Sequence, residues 1–203
     1  MENTKKVLLI NTHLTYPNWS EGTLNDAFIA KAKDFFEAKK YEVLETKIEE
    51  GYSPEDEVEK HLQAEIIILQ MPVNWFGAPW IYKKYVDEVF NSGLFSKKFL
   101  SDDGRTREDA SKQYGTGGHL QGKKFMISAT WNAPAAAFDD PKQGLLEGRG
   151  TADLLLPIWS NYRFCGVEIT EGYNCFDIFK DSQIELDLEN YPKHLEKILN
   201  TPL

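Results

Sequence analysis

Only two cysteines occur in 203 residues, Cys165 and Cys175, and they lack the spacing of a metal site. Two thiols cannot build a disulfide framework, so the core must hold the chain, as expected in a reducing cytoplasm, with both thiols packed as small hydrophobes. Long apolar runs are missing as well. Nothing approaches the ~20 residues of a membrane span, and the amino end, MENTKKVLLIN, has only about four consecutive apolar residues, too few for a signal peptide. Basic charge is in short supply: 23 Lys and Arg face 32 Asp and Glu, a formal net charge of -9. That balance opposes a phosphate backbone or an anionic lipid surface, so the expectation is no nucleic-acid partner and no membrane insertion. There is no internal repeat and no low-complexity linker. Neither a Walker sequence nor GxGxxG appears, which removes the P-loop and the dinucleotide fingerprint.

The remainder is an ordinary globular composition, 41% hydrophobic and 27% charged, long enough for one domain over residues 1–203. Aromatics make up 13%, and several stand beside glycine and proline instead of inside periodic segments. Short apolar runs alternate with helical patterns. Val7–Ile10, Tyr41–Ile48, Glu65–Gln70 and Phe125–Thr130 read as strands, and Gly166–Ile169 begins a fifth. Between them, Leu24, Ala27, Phe28, Ala32, Phe35 and Phe36 recur at helical spacing behind Thr23 as cap. Ser53-Pro54 followed by acids opens a second helix, and Trp80–Phe90 a third, with Gly93 past its end. A helix is expected around Ala152–Phe164, and a last one over Leu186–Leu199 that Pro192 must kink or restart. The class is α/β: a five-stranded parallel sheet with helices on both faces, three layers in all. Residues 96–122 show no period and are too long for a plain connection.

Such sheets bind ligands beyond the carboxyl ends of their strands, so three loops matter. The first holds Ser20, Gly22, Thr23 and Asn25 before a helix amino terminus, a setting for a phosphate, unless Thr23 or Ser20 only caps the helix. The second, MPVNWFGAPW, stiffens the backbone at Pro72 and Pro79, leaves Gly77 for close approach or an unusual dihedral, and offers Trp75 and Phe76 to cover a ring. The competing reading is a hydrophobic plug, which for Trp80 is the better one. The third, Thr130-Trp131-Asn132-Ala133, repeats a hydroxyl, an indole and an amide. Two aromatic-plus-amide loops on neighbouring strand ends suit one flat, polar-edged molecule such as a flavin. His13 is left unassigned.

At SEGTLND (Ser20–Asp26), QMP, GAPW, DGRTR (Asp103–Arg107), KQYGTGG (Lys112–Gly118), QGKK and TWNAP (Thr130–Pro134), the sequence resembles the modulator of drug activity B type of NADPH:quinone oxidoreductases, within the flavodoxin-like NAD(P)H dehydrogenase (quinone) family. The resemblance implies a flavodoxin-like fold, FAD in preference to FMN, NADPH as electron donor, a small-molecule quinone as acceptor, and a homodimer. By carry-over, Ser20, Glu21, Gly22, Thr23, Leu24, Asn25, Asp26 and Ala27 face the ADP-pyrophosphate of FAD. Pro72, Val73, Asn74 and Trp75, with Tyr114 and with Thr130, Trp131, Asn132 and Ala133, surround the isoalloxazine and ribityl chain, and residues 96–122 help form the dimer. Two departures stand out: Val73 and Asn74 replace a glycine and a tryptophan of the family pattern, and THLTYPNW is inserted in the first loop.

The implied reaction is two-electron, ping-pong reduction of quinones, with NADPH and quinone using one place in turn. No indispensable general base is expected. Tyr114 is the candidate to stabilise charge on the quinone oxygen or the flavin, the alternative being a ring packed on Gly115–Gly118; His119 is a further proton-donor candidate. The rival readings are a flavodoxin-like electron carrier and a flavin-binding regulatory subunit of a potassium-efflux system. Residues 138–150 and 172–183 read as surface loop or dimer contact.

Overall fold

The computed structural model describes residues 4–202. Its centre is a parallel sheet. Strands β1 (Lys6–Asn11), β3 (Ile66–Pro72) and β4 (Lys124–Thr130) are buried along almost their whole length, and β2 (Glu42–Lys47) is the half-exposed edge. Unbroken burial needs cover on both faces, which explains why these segments are apolar without alternation. The order is β2-β1-β3-β4, with β5 (Glu168–Ile169) and β6 (Tyr173–Cys175) both pairing with β4. The fifth position is therefore shared by two short pieces. Lys124 pairs with Glu168 at the start of β4, and Thr130 pairs with Cys175 at its end. The 172–183 stretch, expected as loop, thus begins as sheet over Tyr173–Cys175.

Alternate strand residues feed two cores. Val7, Leu9, Ile66, Ile68 and Met126 meet Phe28, Ala32 and Phe36 of helix α1 (Thr23–Ala38). The same core takes Tyr191, Leu195 and Ile198 from the carboxyl-terminal helix, Ile184–Asn200. On the other face, Leu8, Ile10, Ile67, Leu69 and Ile127 meet α2 (Pro54–Gln63), α3 (Trp80–Phe95) and residues 156–164. Ser53 caps α2 as expected, its Oγ accepting from the Asp56 N–H at 3.3 Å.

Four boundaries differ from the sequence reading. Helix α1 has Gly22 as its cap, at φ 85, and no side-chain cap, so Thr23 is its first helical residue. Helix α3 runs through residue 93, where only glycine fits: a Cβ there would lie 2.4 Å from the ring of Phe99, which packs on the helix. The helix expected at 152–164 is two, α4 (Thr151–Leu154) and α5 (Leu156–Phe164), with Pro157 in the first turn of the second. The last helix, α6, contains Pro192 without interruption. Lys124 Nζ donates to the Ile198 and Leu199 carbonyls at 2.9 and 3.3 Å, closing its carboxyl end. Residues 138–150 also reach inward: Phe138 and Leu146 are core.

No helix among the described residues is long and apolar enough to cross a membrane.

Candidate functional site

The loops after β1, β3, β4 and β6 meet at one edge of the sheet. The first is set by hydrogen bonds that radiate from Asn11. Its Nδ2 donates to Asp26 Oδ1 at 2.7 Å, and its Oδ1 accepts the His13 N–H at 3.0 Å. Gln70 on the neighbouring strand donates to Asn25 Oδ1 at 2.9 Å, so strand ends and helix start are tied together. The segment from Tyr16 to Ser20 closes on itself: these two residues exchange two backbone hydrogen bonds of 2.9 Å, and the Tyr16 and Trp19 rings lie 5.1 Å apart. Ser20 is thus spent on a turn, and its carbonyl lies 3.3 Å from His13 Nε2. Gly22 is obligatory, since a Cβ there would stand 2.4 Å from the His13 ring.

Neither Ser20 nor Thr23 caps α1. The first N–H groups of a helix have no intrahelical partner, and with no side chain supplied they remain available to an anion. Around them lie buried polar atoms without any hydrogen bond: Thr12 Oγ1, His13 Nδ1 and Gln70 Oε1, joined at the other strand ends by Thr130 Oγ1 and Asp177 Oδ1. Orphans of this kind are rare in a folded protein and call for a missing partner. Among the described residues five of the six gather where the strands end; the sixth, the Tyr82 hydroxyl, is on α3.

The second loop answers a different need. Asn74 and Gly77 exchange two backbone hydrogen bonds, 2.8 and 3.1 Å, around a two-residue turn made by Trp75 and Phe76. Both have positive φ, 49 and 67, as a type I′ turn requires. Bulky aromatics are among the worst residues for that geometry. The unusual dihedral expected at Gly77 falls instead on its two predecessors, because the strand-end pairing places the turn one step earlier. Trp75 stands 95% exposed at the tip. Trp80, expected as core, is 64% exposed on the first turn of α3. The loop is a projecting aromatic surface and not a plug.

The third loop corrects the expectation for Trp131. Its side chain is only 2% exposed, its indole donates to Asn174 Oδ1 at 2.8 Å, and it packs on Phe138 at 5.0 Å. Its backbone is also engaged, N–H to Cys175 and carbonyl to Ile178. Trp131 is a core residue that anchors the loop, which leaves Asn132 exposed and Thr130 buried beside Val73, whose N–H it accepts at 2.9 Å. The paired aromatic wall therefore comes down to Trp75 and Phe76. Asn174 and Asp177, in the stretch without an assigned role, belong to this edge; the short β6 carries too little apolar sequence to announce itself.

Tyr114 is elsewhere. Its ring lies 5.1 Å from Phe164, with the Arg105 guanidinium 5.5 Å from its centre, and not against the following glycines alone. Phe164 ends α5, just before β5 starts beside Lys124, so it marks the amino ends of the strands. Within one chain Tyr114 thus sits on the side away from the three loops. Both cysteines are buried, and burial pushes the Cys165 thiol up to about 12, so neither is a thiolate nucleophile.

The residues present fit an anion at the amino end of α1 and a planar ring under the Trp75–Phe76 turn. The chain matches the family described as flavodoxin-like fold over residues 5–199. It is 41% identical to the NADPH:quinone oxidoreductase MdaB of Haemophilus influenzae, covering 88% of this chain and 92% of that one. It is 36% identical to protein C5H10.05c of Schizosaccharomyces pombe over 97% and 98% of the two chains. Among solved structures, the NAD(P)H:quinone oxidoreductase of Methanothermobacter marburgensis superposes with a TM-score of 0.67 at 13% identity, covering 98% of each chain.

Proposed function

The chain belongs to the flavodoxin-like fold family, and from that premise we propose that it is an FAD-dependent NADPH:quinone oxidoreductase acting as a homodimer. The observation that carries this reading is the uncapped amino end of α1 beside the orphaned Thr12 Oγ1 and His13 Nδ1, on the same sheet edge as the exposed Trp75. The 41% identity to an NADPH:quinone oxidoreductase supports the donor and the acceptor class.

When bound, the flavin supplies the redox chemistry, taking a hydride from NADPH and returning two electrons to the quinone. The residues of the chain bind and orient. The free N–H groups at Thr23 and its neighbours would hold the pyrophosphate, with the unpartnered Thr12 hydroxyl beside them. Asn132 and Ala133 present amide groups to the ring's polar edge. Trp75 and Phe76 cover part of its face and keep water from it, and Pro72 and Val73 fix the floor. The Val73 N–H is taken by the Thr130 carbonyl, a backbone bond indifferent to the side chain, so the departure from the family's glycine leaves the loop's tie to β4 intact. One open ring face serves NADPH and quinone in turn, which accords with a sequence that holds no second nucleotide-binding motif.

The position of Tyr114 gives the dimer a role. Lying on the far side of its own sheet, it reaches a flavin only in a partner copy, where its hydroxyl supports charge on the quinone oxygen. Tyr114→Phe then lowers turnover without changing flavin retention.

An anaerobic visible spectrum tests the whole reading. Purified protein carries flavin bands that bleach with NADPH and return with a soluble quinone. Colourless protein that takes up neither FAD nor FMN overturns it, and a coloured protein that NADPH cannot bleach points to an electron carrier.

A further inference from the structure

Outside the proposed flavin edge, one pair of side chains has the arrangement of a nucleophile and its base. Ser101 Oγ lies 2.8 Å from His119 Nε2, and His119 Nδ1 lies 3.1 Å from the Lys97 carbonyl oxygen. A carbonyl can only accept, so Nδ1 carries the ring proton. With Nδ1 as the donor, the tautomer that acts as a base turns its Nε2 lone pair to the Ser101 hydroxyl. A hydroxyl bonded to a base, which a third group orients, is the geometry from which serine nucleophiles work.

The scaffold is fixed independently of the pair. Leu100 and Gly118 form an antiparallel bridge, flanked by Ser101 N–H to the Gly117 carbonyl at 3.2 Å and His119 N–H to the Phe99 carbonyl at 2.8 Å. Phe99 and Leu100 are core residues and anchor one side. On the other side the backbone runs so close that no side chain fits: a Cβ on Gly118 would lie 2.1 Å from the Cys165 carbonyl carbon, and one on Gly117 2.2 Å from the Asp102 oxygen. Lys97, which orients the histidine, holds a left-handed backbone, φ 57, and its N–H bonds to Leu94 at 2.9 Å. Both members of the pair are exposed. The Leu100–Gly118 bridge sets both partners, and the base is oriented by the Lys97 carbonyl, four residues before Ser101 on the same stretch of chain.

We propose that Ser101 is a nucleophilic serine with His119 as its general base, and that it takes an acyl group from activated carboxylic esters. Ser101 Oγ attacks the ester carbonyl carbon while its proton passes to His119 Nε2. The bond from that carbon to the leaving oxygen breaks, the proton follows the leaving oxygen, and the acyl group stays on Ser101. No oxidant or reductant takes part, and the reaction is independent of the flavin reading.

The test is to incubate the purified full chain, as isolated, with p-nitrophenyl acetate and locate the acetyl group by peptide mass spectrometry. Acetylation at Ser101 is expected ahead of every other serine. His119→Gln should slow it by about 10²-fold or more, the scale of general-base assistance. His119→Asn places an amide N–H near the Lys97 carbonyl and should slow it equally, which separates loss of the base from loss of the local fold. An adduct confined to lysines, or one at Ser101 that forms as fast in both variants, overturns the proposal.

Discussion

At Trp75 and Phe76 the backbone adopts a left-handed conformation that costs a non-glycine residue roughly 1–2 kcal/mol, and Trp75 regains little by burial at 95% exposure. Strain of this kind persists where the surroundings dictate it, and here the two Asn74–Gly77 hydrogen bonds do. Trp75→Gly should therefore stabilise cofactor-free protein by about 1 kcal/mol in urea unfolding. The same change should weaken flavin retention, read by fluorescence titration. A destabilised variant with unaltered retention would remove Trp75 from the site. Trp131 behaves oppositely despite a similar local sequence, an indole followed within a few residues by proline. Trp131→Ala empties a core position and should cost about 3–5 kcal/mol, visible as a lowered urea midpoint with or without flavin.

Helix ends show how elements depend on one another. Helix α1 starts without a cap because His13 fills the space that any side chain at Gly22 would need. Helix α6 ends on a lysine of β4: Lys124 is buried and its amine serves the last carbonyls. Lys123, next to it, does the same for α2, donating to the Leu62 and Ala64 carbonyls at 2.7 Å, and burial lowers its pKa. Consecutive lysines thus close one helix on each face of the sheet. Lys124→Met should cost about 1–3 kcal/mol, because the carbonyls stay buried without a donor. Faster amide exchange in the last turn of α6 is the local signature. QGKK was legible as a family motif; that its two lysines close helices depends on the sheet alternation that points them to opposite faces.

For the whole molecule, the most exposed weakness to acid is His61, fully enclosed between α2, α3 and α5. Its Nδ1 lies 2.8 Å from the Glu57 carbonyl and its Nε2 3.4 Å from the Tyr162 hydroxyl. Burial is the main cause that lowers its pKa to about 4, from 6.5 in the open chain. The unfolded state therefore binds the proton more readily. The contribution is complete above about pH 6.5 and is lost as pH falls through about 4, a change of roughly 3 kcal/mol. Urea-unfolding free energies across that window should decline, and His61→Leu should flatten the decline. An unchanged slope in the variant would assign acid sensitivity to the carboxylates.

The chain's local chemistry determined the class of the fold. Apolar runs without alternation require a sheet covered on both faces, helical spacing between them requires parallel crossovers, and a parallel sheet offers its carboxyl edge to a ligand. The first and second loops were placed on that edge from sequence, and the tertiary structure keeps them there. What only the folded chain decided were matters of which neighbour arrives. Trp131 was drawn from the edge into the core by Phe138 and by Asn174, which arrives from 43 residues further along the chain. Trp80 stayed outside because α3 turns its other face to Tyr52 and the sheet. Phe99 packed so close to α3 that its position 93 admits only glycine, and Phe164 took Tyr114 to the opposite end of the sheet. Periodicity reports how much of a segment is buried; it carries no information about which distant side chain fills the space beside it.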